Sequence, residues 1–308
     1  MKLRPVLYIA SGALLALIAI ASYSFKPSAP GESPVEVQPT SGKLQYKWSV
    51  PDVPKAMSFA GERVPLERRD VYEQLQRELL VNYYYESGTL YVLMLTTRYL
   101  PLIEERLKAN GIPDDFKYLC IAESALQNQT SKAGAVGFWQ FMKDTGPKYG
   151  LIINDDVDER YNVIKATDAA CRYFKDAYNR FGSWTGAAAS YNCGLTGYDN
   201  FSTYQHTKEY YNLLLPDETM RYVFRILALK YIISEANKLG FLVPDADALK
   251  PYKTKTITVS ASLPDVAQFA IDNGTSYKML RILNPWLRGH SLTLRDGQSF
   301  EVQLPATN

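Results

Sequence analysis

The sharpest chemical signal in the sequence is an acid standing where an apolar side chain is due. In Phe116-Lys-Tyr-Leu-Cys-Ile-Ala-Glu-Ser-Ala-Leu-Gln127, residues Phe116, Leu119, Cys120 and Leu126 share one stripe of a helix, and Glu123 falls on the same stripe. A carboxyl on a buried face loses hydration, which favours its neutral form and keeps a proton on it near neutral pH. A general acid needs that property, although a buried glutamate paired with an arginine fits the pattern equally well. Next comes Gly134-Ala-Val-Gly137-Phe-Trp-Gln140-Phe-Met142. Its glycines permit close backbone approach or positive φ, its Trp139 a stacking ring, and its Gln140 an amide for hydroxyl groups. Such a loop suits a saccharide cleft, and a tight turn packed between helices would use the same glycines. No Gly-Lys-Ser/Thr follows, so it is not a phosphate loop.

Two further clusters complete the set. Ala187-Ala-Ala-Ser-Tyr191-Asn192-Cys-Gly194 is a small-residue helix ending in Asn and Gly, with Tyr191 and Asn192 either capping it or facing a cleft. Leu215-Pro-Asp-Glu-Thr219-Met-Arg-Tyr222-Val223 reads as a helix start with Thr219 near its cap.

These residues need helices to hold them, and the pattern supplies helices. Val71, Leu75 and Leu79 mark one apolar face, a long helical segment runs from Leu90 to Leu107, and Gly111-Ile-Pro-Asp-Asp breaks and restarts the chain. Helical stretches are expected at 166–181, 184–191 and 219–239. The fold class is mainly α over 66–250. After Pro251 the pattern changes to strand (254–259), two short helices (263–272 and 276–283) and strand (300–304). That βααβ order over 251–308 predicts a small independent module or a cap on the main domain.

Upstream, Lys2 and Arg4 precede an apolar run at 6–21 that ends in Ala19-Ile-Ala21, the pattern of an export signal over residues 1–25. Cleavage and retention as a membrane anchor both remain open at this level. Residues 26–65 contain Pro27, Pro30, Pro34, Pro39, Pro51, Pro54 and Pro65, which predicts an extended tether.

Composition removes other classes. The 308 residues carry 34 Lys+Arg against 32 Asp+Glu, a net +2, which excludes a strongly basic nucleic-acid binder. With only His206 and His290 and no CxxC or HExxH, there is no zinc pattern, and no metal or cofactor is expected. Cys120, Cys171 and Cys193 lie on apolar stretches and read as buried thiols, one pair of which could be bridged in an oxidising compartment. Most of the 23 tyrosines are expected to be half-buried core residues.

In this order and spacing, Glu123-Ser124, Gly134-x-x-Gly137-x-x-Gln140, Tyr191-Asn192 and Glu218-Thr-x-x-Tyr-Val223 resemble the lytic transglycosylases that cleave bacterial peptidoglycan, in their membrane-bound murein transglycosylase D form. The resemblance runs from about Phe59 to the C-terminus, with Ser190 where the family has Ala before its Tyr-Asn pair. It implies a goose-lysozyme-like helical domain with a saccharide groove, in which Glu123 is the single catalytic acid/base. By the same resemblance Ser124 orients the carboxyl or substrate, Gln140 and Asn192 bind glycan, Tyr191 lines the site, and Tyr222 positions Glu123. The implied reaction yields a 1,6-anhydromuramyl product without consuming water.

The rival readings are a hydrolytic muramidase, with Asp144 or the Asp155-Asp156-Val-Asp158-Glu159 cluster as second acid, and a non-catalytic envelope binding protein. The C-terminal module resembles a LysM glycan-binding domain through Thr256-Ile-Thr-Val259 and Tyr277-x-x-Leu-x-x-Leu-Asn284-Pro285, with Ser260-Ala-Ser-Leu263 in place of the usual Gly-Asp-Thr. The expected partners are peptidoglycan glycan strands, the membrane if residues 6–21 persist, and cell-wall synthesis or hydrolysis enzymes, with no nucleic acid. The expected location is the periplasm or cell envelope, with the inner membrane as the site of any anchor.

Overall fold

The computed structural model describes residues 49–306. The segment expected to act in export and the tether up to residue 48 lie outside the described residues. Among those described, no helix is long and apolar enough to cross a membrane.

The first regular structure is a hairpin of β1 (Ser58–Phe59) and β2 (Glu62–Arg63). Its turn residues Ala60 and Gly61 both take positive φ, 52° and 83°, as a tight two-residue hairpin requires. Phe59 is fully buried, and Pro51 and Val64 are buried as well. The end of the proline-rich stretch is thus part of the folded body, because its apolar residues have a core to enter. Asp115 pins the hairpin by accepting from the Ala60 N–H at 2.6 Å and from Lys230 Nζ at 2.7 Å.

Seven helices follow up to residue 234: α1 (Arg69–Tyr83), α2 (Glu86–Ala109), α3 (Phe116–Ser124), α4 (Val163–Phe181), α5 (Trp184–Cys193), α6 (Leu195–Tyr204) and α7 (Asp217–Ser234). The expected stripe Val71, Leu75 and Leu79 is buried on α1, which packs along α7. Helix α4 shows how its sequence sets both ends. Asn162 caps it by accepting from the Ile164 and Lys165 N–H groups, and Gly182 closes it at φ 73°. Its buried face, including Ala166, Ala170, Tyr173, Phe174 and Ala177, lies between α2 and α5. Helix α5 buries Gly186, Ala187, Ala188, Ala189 and Ser190, small residues that let its backbone approach its neighbours closely. The family-divergent Ser190 fits because its hydroxyl donates to the Ala187 carbonyl at 2.8 Å.

Helix α3 ends sooner than the Phe116–Leu126 stripe predicts. Ala125 and Leu126 take φ values of 51° and 58°, so Leu126 reaches the core from a turn and not from the helix. Helix α7 begins at Asp217 and ends at Ser234, which places Thr219 inside its first turn and not at the cap.

The last region has the expected order: β3 (Thr254–Val259), α8 (Val266–Asp272), α9 (Tyr277–Leu283) and β4 (Phe300–Pro305). The strands are antiparallel, running from Thr254 opposite Pro305 to Val259 opposite Phe300. Asn284 is fully buried and bonds both backbone groups of Gln303. The module is not self-contained, since Val157 of the helical domain is buried inside its apolar cluster beside Leu280, Trp286 and Leu287.

Glu62 links the hairpin to α5. Its carboxylate accepts from Trp184 N (2.6 Å), Thr185 N (2.8 Å), Thr185 Oγ1 (2.6 Å) and Ser183 Oγ (3.1 Å) at the helix start. Acids are favoured there by the free amides and the helix dipole. Glu62→Ala is expected to cost about 2 kcal/mol and to lower the melting temperature of the full chain by about 4–8 °C. An unchanged melting curve would mean that water replaces the carboxylate at that helix end.

Candidate active site

Glu123 sits on the last turn of α3, partly buried, at the point where the helix stops. Burial pushes its carboxyl up to about 7, the largest influence on it. The Tyr222 hydrogen bond and the positive charge of Arg225 pull the other way, and Glu218 adds a small upward push. The Tyr222 hydroxyl donates to Glu123 Oε1, which leaves Oε2 as the free carboxyl oxygen. Tyr222 is itself buried on α7, and its phenol is held well above its ordinary value by burial and the adjacent carboxyl.

Helix α7 is fixed in this position by a buried acid from α1. Glu78 is fully buried and pairs with Arg221 Nε at 2.7 Å and Arg225 Nε at 3.9 Å, one residue before and three after Tyr222. Thr219, Tyr222 and Arg225 recur every three residues on one side of α7, and each takes part in the site. That spacing is present in the sequence and would have picked out Thr219 and Arg225, neither of which was a candidate for this role.

Thr219 acts on Asn192. Its Oγ1 donates to Asn192 Oδ1 at 2.7 Å, which orients the amide and leaves its N–H₂ end as donor. Tyr191, one residue earlier on α5, donates its hydroxyl to the Trp139 carbonyl at 2.7 Å and packs its ring against Tyr173 and Phe174. Its phenol is raised by burial first and by Glu123 second, which places it within electrostatic reach of the carboxyl.

The glycine loop forms the remaining side. Gly134 and Gly137 have φ 85° and 81°, and a Cβ on Gly137 would lie 2.0 Å from the Arg160 carbonyl oxygen. Glycine is required at 137 on both counts. Three nearby loop carbonyls are each held by a different element: Phe138 by Cys120 Sγ of α3, Trp139 by Tyr191 of α5, and Phe141 by Arg160. Between them Gln140 takes φ 48°. Its Nε2 donates to the Gly137 and Gln129 carbonyls at 2.8 and 3.2 Å, which leaves Oε1 as its free acceptor.

One sequence expectation needs correcting. Trp139 is fully buried and donates its indole N–H to Thr167 Oγ1 at 2.8 Å, so its ring is a core element and not a sugar platform. Ser124 is buried too, with its hydroxyl donating to the Cys120 carbonyl at 3.2 Å. That bond holds the last turn of α3, the turn that carries Glu123. The structure thus brings Glu123, Tyr191 and Tyr222 together, with Asn192 and Gln140 on the elements that adjoin them.

Three of the candidate second acids are engaged elsewhere, and Asp155, like Asp144, is exposed. Asp158 pairs with Arg160 at 2.7 Å, Glu159 accepts from the Ile152 N–H at 2.8 Å, and Asp156 accepts from Thr293 N at 2.9 Å. The cysteines are free thiols, Cys120 and Cys171 buried and Cys193 only partly so.

Comparison with known proteins agrees with this geometry. Residues 101–214 match the family described as the transglycosylase SLT domain, and residues 255–308 match the soluble lytic transglycosylase C-terminal LysM-like domain. Membrane-bound lytic murein transglycosylase D of Escherichia coli K12 is 28% identical over 244 residues, 76% of this chain and 52% of that protein. The protein of the same name from Escherichia coli O6:H1 matches to the same extent. The chain therefore spans about half the length of the curated relatives it matches. Glu123, Gln140, Tyr191 and Asn192 all fall inside the first match, and Tyr222 follows it on the next helix. This chain carries a transglycosylase SLT domain followed by a LysM-like domain of the kind found at the C-terminus of soluble lytic transglycosylases.

Proposed function

We propose that the protein is a peptidoglycan lytic transglycosylase in which Glu123 alone serves as acid and then as base. The observation that carries this reading is a carboxyl pushed up to about 7 on a helix end, hydrogen-bonded by a buried tyrosine, inside the transglycosylase SLT match. The names of the relatives, lytic murein transglycosylases, point to the same substrate.

The steps follow from the free groups of the site. Glu123 gives its proton to the glycosidic oxygen between N-acetylmuramic acid and N-acetylglucosamine as the C1–O bond breaks. The carbonyl oxygen of the muramyl acetamido group adds to C1 and carries the positive charge as an oxazolinium. The Glu123 carboxylate then removes the proton from the muramyl 6-hydroxyl while O6 bonds to C1 and the acetamido oxygen leaves. The product is the 1,6-anhydro sugar, Glu123 is protonated again, and no water is consumed. One carboxyl suffices, where ordinary glycosidases use two. Tyr222 holds Oε1 so that Oε2 faces the substrate, while Asn192 through its N–H₂ group and Gln140 through Oε1 bind glycan polar groups. Tyr191 closes the site against the glycine loop. Export guided by residues 1–25, with residues 6–21 as the anchor if retained, would place the enzyme in the envelope beside its glycan strands and other cell-wall enzymes.

Digestion of purified sacculi followed by mass measurement tests the reaction. Anhydro-terminated fragments, one water lighter than hydrolysed ones, are expected, and Glu123→Gln should lower their release by about 10³. Reducing-end products would make the protein a hydrolase. Full activity in Glu123→Gln would remove Glu123 from the mechanism.

The pH dependence has a definite sign. The first step needs protonated Glu123, so kcat/KM should fall as pH rises through about 7. The Tyr222 hydrogen bond favours the ionised form, so Tyr222→Phe should move that falling limb to higher pH as well as reduce the rate. A limb that stays in place or moves down would show that Tyr222 does not tune Glu123.

A further inference from the structure

Loop 152–161 joins the C-terminal module to the helical domain, and the same loop also touches the glycine loop of the site. On its outer side, Val157 faces Leu287 in an antiparallel bridge. The Asp158 N–H donates to the Trp286 carbonyl (2.8 Å) and the Arg288 N–H to the Asp156 carbonyl (2.7 Å) on either side of that pair. Asp156 adds three contacts: its carbonyl accepts from Gly289 N (3.0 Å), Oδ1 from Ser291 Oγ (3.3 Å) and Oδ2 from Thr293 N (2.9 Å). The fit is close enough that a Cβ on Gly289 would stand 2.4 Å from Asp156 Oδ1 and 2.8 Å from the Ser291 carbonyl oxygen. Val157, Ile152 and Tyr161 complete the apolar cluster of the module, and the Arg288 guanidinium lies 4.5 Å over the Tyr161 ring.

On its inner side the same loop holds the glycine loop. Arg160 is buried, ion-paired to Asp158, and donates to the Phe141 carbonyl at 3.2 Å. Its own carbonyl oxygen fills the space that a side chain at Gly137 would need. Tyr161 accepts from Asn128 Nδ2 at its carbonyl (3.0 Å) and exchanges a hydrogen bond with Thr130 through its hydroxyl (3.1 Å). Asp156 and Arg160 are thus four residues apart, one fastened to the module and the other to the backbone on both sides of Gln140.

We propose that Asp156 is a positioning residue: by clamping the C-terminal module onto loop 152–161 it fixes, through Arg160, the backbone that presents Gln140, so that the module is a fixed wall of the catalytic domain and not a tethered binder. The coupling stands on these contacts, and its consequence for turnover rests on the transglycosylase reading above.

The test uses the full chain with Asp156→Ala, and with Gly289→Val as an independent wedge from the module side. Amide hydrogen exchange followed by mass spectrometry should show lost protection at 286–293 and about tenfold faster exchange at 137–141, with α3 and α7 unchanged. On purified sacculi, kcat/KM should fall about tenfold, mainly through KM, with the falling pH limb in its wild-type place. Asp156→Asn, which keeps one acceptor oxygen, should recover part of both effects.

Exchange at 137–141 that stays at the wild-type rate while 286–293 opens would overturn the proposal. So would unchanged kcat/KM in a variant whose 137–141 exchange has accelerated. If either variant fails to fold, the other decides. If the wild-type chain releases no anhydro sugars from sacculi, the functional reading fails, and the exchange measurement alone decides the coupling.

Discussion

A carboxyl that keeps its proton near neutrality must be screened from water on several sides, and the placement of Glu123 at the end of α3 meets that demand while leaving it only partly buried. Raising it from an ordinary 4.5 to about 7 corresponds to something on the order of 3 kcal/mol, less what solvent at its open face returns. The linkage sign follows. Between those two values the folded protein holds a proton that the unfolded chain gives up, so stability contributed by this group falls as pH rises toward 7 and stays low above it. The site is therefore a place where the fold is weakened, and the elements around it provide the compensation. Helix α3 brings the acid, α7 brings Tyr222 and Arg225, α5 brings Tyr191 and Asn192, and the glycine loop brings Gln140.

The balance on Glu123 depends on a second buried acid. Arg225 draws the carboxyl toward ionisation, yet it belongs to a charge cluster with Glu78 and Glu218. Glu78 lies on α1, far from Glu123 in sequence, and its pairs with Arg221 and Arg225 bracket Tyr222 on α7. A long-range ion pair thus sets where the tyrosine stands and divides the attention of the nearest cation. Strain gathers in the same place. Ala125, Leu126 and Gln140 are non-glycine residues with left-handed backbones, each costing on the order of 1 kcal/mol, and all lie within a few residues of a site side chain.

How much of this could be read from the chain depends on how local each determinant is. The helices of the main domain were legible because apolar period, caps and breaks are local, as Asn162 and Gly182 show for α4. The βααβ order was legible for the same reason. Glu123 could be found because an acid interrupts an apolar stripe, and Tyr191, Asn192, Gln140 and Tyr222 by family resemblance. What failed was non-local or unmarked. The stop at Ala125 carries no glycine to announce it, so the Phe116–Leu126 stripe looked continuous. Trp139 looked like a sugar platform because nothing near it in sequence shows that Thr167 receives its N–H. The acidic run at 155–159 reads from sequence as a candidate second acid. Instead its members separate into a module clamp, an ion pair and a backbone acceptor.

The glycine loop shows why such a site needs so many walls. A helix or strand satisfies its own backbone groups, whereas an irregular loop must find partners elsewhere, and each partner then fixes its position. Here Cys120, Tyr191 and Arg160 hold the carbonyls of Phe138, Trp139 and Phe141, and they come from three separate elements. Gln140 is located by their joint agreement and not by any preference of its own, since its φ of 48° is one that glutamine would not choose. Two of the three walls belong to helices of the main domain, whose buried faces pack into its own core. The third is a loop with no core of its own, and its apolar residues Ile152, Val157 and Tyr161 are covered by the C-terminal module. The loop therefore leans on both bodies at once, through Arg160 and Tyr161 on the glycine-loop side and through Ile152, Val157 and Tyr161 on the module side, and this shared support is the physical basis of the coupling proposed above.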